Sequence, residues 1–107
     1  MTSDSTLGGY LDQHARPPAF EGCDGCAYSV GVYVDDAPAA DGRYGAALLF
    51  VRWTPEGDRP EGHVESEYLG FGATVQEAEA VLRKLTLWEV KAQLDQAIER
   101  RRAVPEW

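Results

Sequence analysis

Residues 43–53, RYGAALLFVRW, decide how the rest of the 107-residue chain is read. Tyr44, Ala46, Leu48 and Phe50 are apolar on one parity, and Ala47, Leu49, Val51 and Trp53 on the other. Alternate residues of a strand point to opposite faces, so this pattern describes a central strand covered on both sides. A segment of period two lies on each side of it. In CAYSVGVYVDD (26–36), Tyr28, Val30, Val32 and Val34 alternate with Ser29, Gly31 and Tyr33. In HVESEYLGFG (63–72), Val64, Ser66 and Tyr68 alternate with His63, Glu65, Glu67 and Leu69. Both patterns belong to half-buried strands. The polar connections DAPAADG (36–42) and TPEGDRPEG (54–62) carry the Pro and Gly of loops and are short enough for antiparallel neighbours. The expectation is a three-stranded antiparallel meander within residues 20–72.

After it the period changes. Thr74-Val75-Gln76-Glu77 has the pattern of a capping box, in which the hydroxyl accepts from the third amide while the carboxylate reaches back. Ala78, Val81, Leu82, Leu85, Trp88 and Ala92 follow at helical spacing. A second box, Thr86-Leu87-Trp88-Glu89, lies inside the run, and Leu87, Val90, Leu94 and Ile98 form a second apolar stripe on a rotated face. One helix of about 28 residues would be about 42 Å long, more than the sheet beside it. The expectation is one long helix, continuous or kinked near Thr86, whose second half contacts another chain, with Pro105 preventing its continuation. Residues 1–19 read as a loosely packed arm with a short helical turn capped by Ser5, weakened by Gly8-Gly9 and ended by Arg16-Pro17-Pro18. The whole is a single α+β domain over 1–107.

Charge narrows the partners. The chain carries a formal net charge of −8, and residues 1–73 hold the whole acidic excess. Such a field repels phosphate backbones, which sets nucleic acid aside. The basic run Arg100-Arg101-Arg102 reads as complement to the dipole at a helix C-terminus. No apolar run is long enough to span a membrane, and MTSDSTLGGYLDQHARPP has neither the basic start nor the apolar stretch of a secretory leader. With two cysteines only two residues apart, unable to staple distant segments, a cytoplasmic setting with reduced thiols is expected.

The strand–strand–strand–helix order, with GFGATVQEAEAVL (70–82) at the last junction, resembles the HicB-like domains of toxin–antitoxin systems. Those domains place a glycine, a threonine cap and a Glu-Ala pair where the third strand enters the helix; here these are Gly72, Thr74, Glu77 and Ala78. The resemblance covers about residues 26–100. It implies the fold, a tendency to dimerise and a toxin-binding, antitoxin-like role. The proline-rich entry to the third strand and the added DNA-binding segment usual in that family have no counterpart here.

FEGCDGCAYSV (20–30) holds both cysteines. A structural zinc site takes four ligands, and Cys23, Cys26, His14 and His63 make up the one Cys2His2 set in the sequence. His14 lies in the arm and His63 follows a long loop, so the set has no reason to converge. A redox pair wants its first thiol at a helix N-terminus, whereas a strand follows Cys26. Asp24-Gly25 instead reads as a tight turn, with Phe20 leading a short segment back along the first strand. His63, Glu65 and Glu67 are about 6.6–6.8 Å apart in succession along one strand face, too spread for one ion. No phosphate loop or nucleophile–base pattern is present.

The expectation is therefore a non-enzymatic protein with no cofactor and no metal. One helix covers one sheet face, which leaves Tyr33, Leu49, Val51, Trp53 and Leu69 on the other, with Leu94 and Ile98 on the far half of the helix. These seven are the expected interface of a homodimer or of a complex with a protein partner. A metal- or ligand-binding protein using Cys23 and Cys26 is the alternative.

Overall fold

The computed structural model describes residues 6–13 and 20–103. His14, the Arg16-Pro17-Pro18 stop, the Ser5 cap and Pro105 lie outside the described residues. In chain order the elements are α1 (Leu7–Gln13), β1 (Phe20–Glu21), β2 (Ala27–Val34), β3 (Tyr44–Trp53), β4 (Pro60–Glu65), β5 (Gly70–Gly72), α2 (Val75–Arg83) and α3 (Leu87–Ala103).

The expected three-stranded meander with one long helix is wrong in both parts. The sheet has five antiparallel strands in the order β1-β2-β3-β4, and β5 pairs with β3 beyond the end of β4. β3 is central: Val30 lies opposite Phe50, Phe50 opposite Val64, and Ala46 opposite Gly70. The third expected strand is two strands because its ladder is interrupted. Between the pairs Leu49–Glu65 and Ala46–Gly70, Ala47 and Leu48 of β3 face the four residues Ser66–Leu69. The buried Ser66 hydroxyl enters the ladder there, accepting from Leu48 N–H at 2.9 Å and donating to Glu67 O at 2.7 Å. Tyr68, expected in the core, is pushed out to the surface.

The helix is broken. Lys84 caps α2, and Thr86 opens α3 with a complete reciprocal box: Glu89 N–H donates to Thr86 Oγ1 at 3.1 Å, and Thr86 N–H to Glu89 Oε1 at 2.8 Å. At the first box Glu77 N–H donates to Thr74 Oγ1, but the Glu77 carboxylate accepts from Ala73 rather than from the cap. The break re-aims the second stripe. Val90, Leu94 and Ile98 turn onto the sheet and join Tyr28, Val30, Ala46, Leu48, Phe50, Ala78 and Leu82 in one core. Trp88, expected there, is 86% exposed.

The arm is also firmer than its glycines suggest. Thr6 accepts from Gly9 N–H to start α1, and Leu7 N–H donates to Leu85 O at 2.7 Å in the gap between α2 and α3. Arg83 fastens the other side through Asp12 at 2.7 Å and Gly8 O at 3.3 Å. Leu7 and Tyr10 are core residues as a result. All three helices pack on the face that carries the even-numbered residues of β2 and β3, and the molecule is a slab of 40 × 39 × 22 Å. The odd-numbered face has no second layer among the described residues.

Candidate functional site

The CDGC segment is a hairpin turn between β1 and β2. Gly22 N–H donates to Cys26 O and Gly25 N–H to Gly22 O, both at 2.9 Å, and Gly25 takes the positive φ of 82° that the turn requires. Asp24 locks it from within, accepting from Cys26 N–H at 3.1 Å and from the Tyr28 hydroxyl at 2.8 Å. Asp95 of α3 locks it from outside by accepting from Cys23 N–H at 3.0 Å, while its other oxygen pairs with Lys91 at 2.6 Å.

This turn walls a cleft of about 370 Å³ at the end of the sheet, closed by β3, β4 and the last turns of α3. Asp24, Tyr28, Arg52, Glu61 and His63 line it with polar groups, together with Arg101 and Arg102 of α3. Burial raises the Asp24 carboxyl, but the two hydrogen bonds it accepts outweigh this and hold it below the usual aspartate value. Burial, then the Asp24 carboxylate, push Tyr28 up to about 12. Arg52 Nε is buried without a hydrogen bond, 3.5 Å from a Glu61 oxygen. The pair attracts by charge without hydrogen-bond alignment.

Of the two cysteines, Cys26 lines the cleft and Cys23 lies outside it. Cys23 faces α3, its sulfur 3.7 Å from a Glu99 oxygen and 4.0 Å from Asp95 O. Burial and then these acidic neighbours push its thiol up, opposite to what a reactive thiolate needs. Cys23 and Cys26 are free, and no three His, Cys, Asp or Glu side chains among the described residues stand close enough to hold a metal. His63 lies exposed on β4, 3.7 Å from Glu65.

Tyr28 gives the cleft a pH signature. Its proton is held more tightly in the folded chain than in the unfolded one, so its contribution to stability is complete below pH 10 and is lost as pH rises through about 12. Wild type should show a falling stability limb over that window in denaturant titrations, and Tyr28→Phe should lose this contribution. An equal limb in both proteins would contradict the assignment.

The seven expected interface residues divide. Tyr33 is 50% exposed on the open face, and Leu49, Val51 and Trp53 are half-buried there, with Trp53 Nε1 donating to Ser29 Oγ at 3.0 Å. Leu69 packs against the core from the irregular segment. Leu94 and Ile98, at 0% and 3% exposure, are inside the chain's own core, so they offer nothing to a partner. The sequence reading missed Asp24, Tyr28, Arg52 and Asp95. Arg52 carried a signal, since it is a charge on the inward parity of an otherwise apolar strand.

The arginine run has a role beyond the helix dipole. Arg100 donates to Glu65 O at 3.0 Å and Arg101 to His63 O at 3.1 Å, which ties α3 to the outer edge of β4. No helix among the described residues is long and apolar enough to cross a membrane. No protein-family model, curated protein or solved structure matches the chain.

Proposed function

We propose that this chain is a non-enzymatic protein-interaction or regulatory domain that works as a homodimer in the cytoplasm. The observation that carries the interaction role is the one-sided sheet. Three helices crowd one face, while Ala47, Leu49, Val51 and Trp53 run in line along the other beside the exposed Tyr33. A shallow depression of about 180 Å³ lies at the Tyr33 end, bounded by Glu65, Glu67 and Tyr68. The resemblance of Gly72, Thr74, Glu77 and Ala78 to the HicB-like junction supports an antitoxin-like form of this reading. Sedimentation velocity of the wild-type chain at micromolar concentration should give a dimer; a monomer throughout that range would overturn the proposal.

A further inference from the structure

The two edges of the sheet are treated differently. Backbone groups in an antiparallel ladder alternate, with one residue bonding left and the next right. Ser66 N–H donates to Leu48 O, so the even-numbered residues of β3 bond towards β4 and β5. His63 and Glu65, opposite Val51 and Leu49, therefore direct their backbone outward. Their outward carbonyls are the ones taken by Arg101 and Arg100. Pro60, Glu61, His63 and Glu65 add the proline and charge that discourage a further strand.

The β2 edge has none of this. Asp35 N–H donates to Gly45 O, continuing the register in which odd-numbered residues of β2 bond towards β3. Even-numbered residues bond the other way. β1 uses only the first of these within β2, pairing Phe20 with Tyr28 and Glu21 with Ala27. Among the described residues no strand pairs with β2 beyond Tyr28, so Val30, Val32 and Val34 present N–H and C=O groups along an open edge. The stretch SVGVYV (29–34) contains no charge and no proline.

We infer that two copies of this chain join through the free edge of β2, antiparallel about a two-fold axis at Val32, so that two five-stranded sheets become one. This rests on the dimer reading and specifies its interface. The register follows from self-complementarity. Keeping the same face outward requires even-numbered residues to meet even-numbered ones, so Val32 pairs with Val32 of the partner subunit and Val30 with Val34 of the partner subunit. These three outward pairs exchange roughly six hydrogen bonds. The same register sets Tyr33 opposite Gly31 of the partner subunit. A Cβ built at Gly31 meets nothing within 4 Å, so nothing obstructs the approach of the partner strand there. The open faces then lie side by side in one plane. Face-to-face stacking is less favoured, because Leu49, Val51 and Trp53 are already half-buried within their own face.

Val32→Pro tests this, because it removes one outward N–H and leaves the odd-numbered bonds to β3 in place. The expected result is a folded chain, by circular dichroism, whose dimer dissociation constant rises on the order of tenfold or more. Leu49→Lys, on the open face, should keep the dimer. A wild-type dimer that persists unweakened in folded Val32→Pro, or is lost in Leu49→Lys, overturns the edge interface while leaving the dimer reading intact. A wild type that stays monomeric overturns both and leaves the edge to a strand from another protein. If Val32→Pro does not fold, amide exchange of the wild type decides. Val30, Val32 and Val34 should become more protected as concentration rises, with Gly31 and Tyr33 unchanged; no selective protection overturns the interface.

Discussion

Leu94→Ala should cost about 2–5 kcal/mol, while Trp88→Ala on the same helix should change stability by no more than about 0.5 kcal/mol. The contrast separates a helix that belongs to the chain's own core from one reserved for a partner. Leu94 is fully buried in the core with residues of β2, β3 and α2, whereas Trp88, in the first turn of α3, is 86% exposed. Removing the Leu94 side chain loses its burial and leaves a cavity that the packed sheet can only partly close. Equilibrium denaturation at a fixed protein concentration gives both values. If Leu94→Ala were harmless and Trp88→Ala severe, α3 would have to sit rotated from the position described here.

Gly72→Ala is the second large effect, and it acts by overpacking. A Cβ at Gly72 would lie 2.6 Å from Ala78 N and 2.7 Å from Glu77 Cβ, because β5 passes directly over the first turn of α2. Neither neighbour can swing away, since one is backbone and the other is held by the capping box. The strand and helix must move apart, at a cost of about 1–3 kcal/mol or more. Denaturation midpoints should fall accordingly. A neutral Gly72→Ala would mean that β5 and α2 are not in contact.

Parity in RYGAALLFVRW and CAYSVGVYV carried β2, β3 and the inward set Tyr28, Val30, Leu48 and Phe50 from sequence alone, because strand alternation is a local property. β1 and β5 were not legible in that way. Phe20–Glu21 and Gly70–Gly72 are too short to show a period, and they become strands through their partners Tyr28 and Ala46. The second capping box lies where the helix breaks at Thr86, but in the sequence it reads as no more than a kink within one long helix. What it could not announce was the direction α3 takes afterwards, which turned Leu94 and Ile98 from an expected interface into core. The cleft was hidden for a related reason. Asp24 lies near Tyr28 in sequence, but Arg52, Glu61 and Asp95 reach the same corner only once the sheet and α3 are assembled. The CDGC turn proved to be where those segments meet.

Joining at the β2 edge has one consequence for shape, and small-angle X-ray scattering reads it directly. Two slabs of 40 × 39 × 22 Å joined at β2 keep their thickness and come close to doubling one long dimension. Scattering from the wild-type chain should therefore give an elongated, flat particle whose thickness is that of a single slab. A compact particle of doubled thickness would place the contact on the sheet face, and a particle of monomer size would contradict the dimer itself.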